Sequence, residues 1–85
     1  MGLINKVVPA EELDKAAGEW AGRLASGPTV ALSLSKSLLN HGLSASMDEA
    51  LEDEARSQHV TFSTADVKEA MRAFVQKREP SFRGA

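Results

Sequence analysis

The segment Leu3-Ile-Asn-Lys-Val-Val8 constrains this chain more than any other, because it is the only stretch with strand character and nothing is there to pair with it. It is short, rich in β-branched residues and stopped by Pro9. A lone strand leaves its backbone donors and acceptors without partners, and no second strand candidate occurs anywhere downstream. The remainder must therefore fold as helices. The sequence predicts an all-α class, with about four helices after a short N-terminal strand. The unpaired strand further predicts that its neighbour lies on the N-terminal side of this segment, outside the chain.

At 85 residues the chain supports at most one small domain, which buries only about 60% of its unfolded surface. Apolar residues make up 42% and charged residues 26%, a globular balance. The net charge of -2, with Lys and Arg scattered, gives no footprint for a nucleic-acid partner. The absence of cysteine excludes disulfides and thiolate metal sites and agrees with a cytoplasmic protein. No apolar run approaches the roughly 18 residues of a membrane span. Met1-Gly-Leu-Ile-Asn-Lys6 also lacks the shape of a signal peptide.

The first helix is expected from Ala10 to Ser26, with Leu13, Ala16, Ala17, Trp20, Ala21 and Leu24 as its apolar stripe and Gly27 as its C′ residue. Trp20 reads as core, and Glu19 with Arg23 as an i,i+4 pair. The second helix starts at Pro28 or Thr29 and ends near Asn40-His41-Gly42. Its Val30, Ala31, Leu32, Leu34, Leu38 and Leu39 cover more than half the wheel, so it should meet neighbours on two sides, with Lys36 solvated. Ser46 is the N-cap of the third, with Glu49 completing a capping box. There Met47, Ala50, Leu51, Ala55, Gln58 and Phe62 should face inward, with Asp48, Glu52 and Asp53 outward. Glu54 falls inside the apolar stripe, where a carboxylate needs a partner such as Lys36 or Arg78.

The last helix, capped by Ser63 or Thr64, carries Val67, Ala70, Met71, Phe74, Val75 and the stem of Arg78 on one face. Lys68, Glu69, Arg72, Gln76 and Glu79 lie on the other. Pro80 is expected to close it, and Phe82 follows as an apolar anchor. Nothing in this pattern carries chemistry. His41 and His59 stand alone, without carboxylate or histidine partners at ligand spacing. No G-x-S-x-G elbow or Gly-rich phosphate loop occurs, and Ser33-Leu-Ser-Lys36 is an S-x-x-K without companion motifs. The reading is of no catalytic and no metal-ligating residues.

The order Asp66-x-x-Glu-Ala-x-x-Ala-Phe-x-x-Lys-Arg-x-Pro-x-Phe82 resembles the last helix of the enoyl-CoA hydratase/isomerase family, the crotonases, where the pattern is D-x-x-E-G-x-x-A-F-x-x-K-R-x-P-x-F. Ala70 stands where the family more often has glycine. Gly2 to Pro9 is similar to the family's G-L-V-x-x-V-V-P segment, so Met1 is expected to be an interior residue. Lys36, within A-x-x-x-x-K-x-x-L, and Glu54 also match the family's habits. The resemblance implies the C-terminal helical part of the ClpP/crotonase-like fold: residues 1–9 a remnant strand leading in from an N-terminal spiral domain, residues 10–85 a helical oligomerisation and lid domain.

It further implies a parent enzyme acting on acyl-CoA thioesters, with the oxyanion-hole amides and catalytic acids upstream of Gly2. The chain alone would then be inactive. The coenzyme A thioester would be a substrate and no further cofactor is called for. The partner would be a second copy, in trimers or hexamers. By the same resemblance Phe74 packs against coenzyme A bound by a neighbouring subunit, and Lys77 offers its ammonium to the phosphate-bearing part. A free-standing helical interaction module is the alternative from another class. Either reading leaves apolar faces uncovered, so self-association is expected.

Overall fold

The chain's first boundary is made by Pro9, whose carbonyl accepts the Glu12 N–H at 2.9 Å. In the computed structural model, which describes residues 2–85, this turn is a 3-10 helix over Ala10–Glu12 that runs into α1, Leu13–Ala25. Then come α2 (Thr29–Gly42), α3 (Met47–Phe62) and α4 (Ala65–Gln76). The expectation placed on Met1 lies outside the described residues. The expected strand over residues 3–8 is absent, since no segment among the described residues offers it a ladder and Leu3, Ile4 and Val7 are exposed.

The caps explain most boundaries. Ser46 Oγ accepts the Glu49 N–H at 3.2 Å to start α3, and Thr64 Oγ1 accepts the Val67 N–H at 3.2 Å to start α4. The Ser46 hydroxyl also reaches the Glu49 carboxylate at 3.2 Å. Gly27 follows α1 as expected, but without a positive φ. Its merit is space: a Cβ there would lie 3.2 Å from Leu32 Cδ1 and 3.3 Å from the Leu24 carbonyl.

Pro80 does not close α4. The helix stops at Gln76, and Lys77 turns left-handed with φ 54° and ψ 45°. The Lys77 N–H then donates to the Phe74 carbonyl at 3.2 Å and the Arg78 N–H to the Ala73 carbonyl at 3.0 Å, the pair of bonds that defines a Schellman motif.

Helices α2 and α3 form a hairpin and α4 packs on α3, while α1 stands apart against its own 3-10 turn. Which face turns inward differs from the hydrophobic pattern. On α3 the half-buried residues are Ala50, Asp53, Ser57 and Thr61, whereas Met47, Leu51, Ala55, Gln58 and Phe62 are exposed. On α4 the buried residues are Asp66 and Ala73, with Glu69 and Ala70 half-buried between them. Small and short polar side chains let the helices approach closely, and the large apolar side chains stay exposed.

The same holds for α1. Trp20, expected in the core, is 39% exposed, and the Arg23 guanidinium lies over its ring at 4.9 Å rather than pairing with Glu19.

The shape carries the consequence. The radius of gyration is 16.1 Å and the extents are 43 × 40 × 19 Å, where a compact chain of this length would have a radius of about 12 Å. The accessible surface is 7093 Å², some 2,200 Å² above the roughly 4,900 Å² of a compact monomer of this mass. The chain is a slab with apolar faces.

Candidate functional site

Helix α4 and the tail that returns along it hold the molecule's most connected group of charged side chains. Asp66 and Glu69 stand one helical turn apart and both face the returning tail. The Asp66 carboxylate is only 4% exposed and accepts the Arg83 N–H at 2.8 Å and the Gly84 N–H at 2.9 Å, one on each oxygen. Its own N–H donates to the Ala85 carbonyl at 2.9 Å. Glu69 accepts the Arg78 guanidinium on both oxygens, at 2.5 and 3.2 Å, and the Ser81 N–H at 3.1 Å. Arg72 adds a longer approach at 3.7 Å. The tail is therefore latched along α4 at two points, with Phe82 seated beside Pro28, Val30, Ala31, Val67 and Ala70.

These contacts set the charge state of the latch. The Arg78 hydrogen bonds, followed by the Ser81 amide, hold Glu69 at about 2, well below its ordinary 4.5, and Arg78 is raised in return. A carboxylate depressed on folding stabilises fully above its unfolded value and loses that contribution as pH falls through the folded one. The latch at Glu69 should hold at pH 5 and open between about pH 4.5 and about pH 2. Loss of hydrogen-exchange protection at the Ser81 amide across that window is the expected observation; protection that vanished already at pH 6 would refute it.

Phe74 and Lys77, the two residues singled out by the resemblance, lie at the C-terminal end of α4. Phe74 is 85% exposed, beside Val75 at 79% and Met71 at 54%. The apolar face of α4 is thus half-buried at Val67 and Ala70 and solvent-facing from Met71 onward. Lys77 is exposed too, but it sits past the helix, so the left-handed turn sets its direction. A lysine in this conformation is unfavourable by about 1 kcal/mol or more against glycine. The helix dipole returns only roughly 0.3–1 kcal/mol for a cation there.

The chain belongs to a known family. The model for enoyl-CoA hydratase/isomerase matches residues 1–85. Among relatives, it is 43% identical over 79 residues to the short-chain-enoyl-CoA hydratase of Clostridium acetobutylicum, covering 93% of this chain and 30% of that one. It is 42% identical over 82 residues to the crotonyl-CoA hydratase of Syntrophomonas wolfei, covering 96% of this chain and 32% of that one. Its structure superposes on subunit I of an enoyl-CoA hydratase from Geobacillus kaustophilus with a TM-score of 0.91 at 36% identity, covering 99% of this chain and 33% of that one. The chain thus spans about a third of the length of the relatives it matches. The four helices are those of the enoyl-CoA hydratase/isomerase fold.

Other sequence candidates fall out differently within this member of the family. Glu54 is exposed, and Arg78, one of its two expected partners, is engaged by Glu69. Asp53, expected to point outward, instead bonds His41 Nδ1 across the α2–α3 hairpin and lies 3.7 Å from Arg56. His41 is therefore not alone; the two residues border a groove of about 330 Å³ shared with Leu34, Leu38, Ser57 and Val60. Their twelve-residue separation gave no local signal. Among the described residues no group of three or more His, Asp or Glu is placed to hold a metal, and no helix is long and apolar enough to cross a membrane.

Proposed function

We propose that this chain is the C-terminal helical part of an enzyme acting on acyl-CoA thioesters. It serves subunit assembly and covers the active site, while the residues that do the chemistry lie in the preceding spiral domain. The observation that carries this is the surplus of about 2,200 Å² of surface over a compact monomer. Much of it is apolar: Leu3, Val7, Leu39, Leu43 and Met47 join Phe74 and Val75 among the exposed large side chains. Permanent interfaces bury areas of this size and are more apolar than ordinary surface. The occupants are the spiral domain of the same enzyme and further copies, in a trimer or hexamer. At the end of α4, Phe74 and Lys77 contact the coenzyme A of a neighbouring subunit, the ring against its apolar part and the ammonium against its phosphates. The cysteine-free composition supports the cytoplasm as its compartment.

Hydration of crotonyl-CoA tests the reading. The 85-residue chain should show no turnover above buffer. Joined behind the upstream two-thirds of the Clostridium acetobutylicum hydratase, it should restore turnover and sediment as a trimer or hexamer. Turnover by the chain alone, or a well-folded hybrid that stays monomeric and inactive, would refute it. A hybrid of that kind would point to a free-standing interaction module.

A further inference from the structure

Lys77 is the only residue other than glycine with a positive φ among those described. Glycine or asparagine ordinarily fills such a position, so a lysine there marks a place where the side chain matters more than the ease of the turn. What secures the turn is on its C-terminal side. Arg78 is fixed by its N–H to the Ala73 carbonyl at 3.0 Å, by Nε to Gln76 Oε1 at 2.7 Å, by the two bonds to Glu69 and by Nη1 to the Glu79 carbonyl at 3.2 Å. Glu69 spends its remaining capacity on the Ser81 N–H. The backbone is held at Lys77 N, at Arg78 and at Ser81, and the Lys77 ammonium takes part in none of these bonds.

We propose that Glu69 is a positioning residue for Lys77: by gripping Arg78 and the Ser81 amide it fixes the left-handed turn, and with it the direction in which the Lys77 ammonium leaves α4 toward an anionic group of the coenzyme A thioester. This rests on the coenzyme contact proposed above and assigns its geometry to a residue about two helical turns away that does not touch the ligand. Arg78 transmits the grip. A bidentate guanidinium–carboxylate fork fixes orientation as well as distance, which a single ammonium contact does not.

The test compares crotonyl-CoA with crotonyl-pantetheine, which lacks the nucleotide and its phosphates, in the full-length enzyme that carries this chain. Lys77→Ala should cut the preference in kcat/KM for the coenzyme A thioester about tenfold. Glu69→Gln should cut the same preference three- to tenfold, and add less than twofold when combined with Lys77→Ala. Arg78→Lys, which keeps the charge and removes the fork, should follow Glu69→Gln and serves where that variant folds poorly. In the 85-residue chain, Glu69→Gln should weaken the strong intraresidue amide–Hα NOE that marks a positive φ at Lys77. If Lys77→Ala leaves the preference unchanged, the coenzyme reading fails and the inference with it. If Lys77→Ala lowers the preference while Glu69→Gln and Arg78→Lys do not, the coenzyme reading stands and the positioning role is overturned. Equal losses on both substrates in Glu69→Gln would show a merely structural residue and also overturn it.

Discussion

Replacing Asp66 by alanine should lower the stability of the chain by about 3 kcal/mol, the largest effect expected of any single substitution on its inward faces. The carboxylate is 4% exposed and holds two backbone amides, those of Arg83 and Gly84. Hydrogen bonds to a charged group contribute roughly 1.5–3 kcal/mol each, less whatever water recovers when the tail lifts away. A chain of this size has about 4–13 kcal/mol in total, and its open shape places it low in that range. Asp66→Asn should lose about half as much, because an amide offers a single oxygen where the carboxylate uses two. Urea unfolding followed by far-UV circular dichroism reads both. An Asp66→Ala unfolding free energy within about 0.5 kcal/mol of the parent's would mean that the tail does not help to hold the fold.

The second large effect concerns association. The isolated chain should self-associate at high concentration through its uncovered faces, and Phe74→Glu should raise the dissociation constant by on the order of a hundredfold. Phe74 contributes an apolar side chain that is 85% exposed and flanked by Val75 and Met71. A carboxylate there must be dehydrated on association. Folding stability should move by less than about 0.5 kcal/mol, since the side chain touches little within the chain. Sedimentation velocity across a concentration series separates the two quantities. A parent that remains a monodisperse monomer at millimolar concentration would sink the prediction.

Helix boundaries were the most legible part of this fold, because capping is local. Ser46 and Thr64 each accept a backbone N–H three residues on, so the letters alone place α3 and α4. The end of α4 was not legible. Lysine is a poor marker of a left-handed residue, so the sequence points to Pro80 as the stop, whereas the helix ends four residues earlier. Periodicity found the apolar stripes of α3 and α4, of which Ala50, Val67 and Ala70 turn inward while the larger residues stay exposed. Large side chains mark where burial is needed somewhere, while Ala50, Ser57, Ala70 and Ala73 mark where helices can come close. The last helix also carried the resemblance to the family whose model matches residues 1–85, through the spacing of Asp66, Glu69, Arg78 and Pro80. What that spacing did not convey is that two of these residues face each other: Glu69 and Arg78 lie nine apart, which no helical wheel brings together once the chain has turned back.

The latch between α4 and the tail also bears on how quickly the chain finds its shape. Its cross-connections span only nine to nineteen residues of sequence, and the α2–α3 and α3–α4 packings are between successive helices. Loops of about ten residues close in roughly 10–100 ns, and domains dominated by local contacts fold in microseconds to milliseconds. The region from α2 onward can therefore organise on its own timescale, ahead of any encounter between molecules. The self-association expected above is bimolecular, so its rate should follow the concentration of chains.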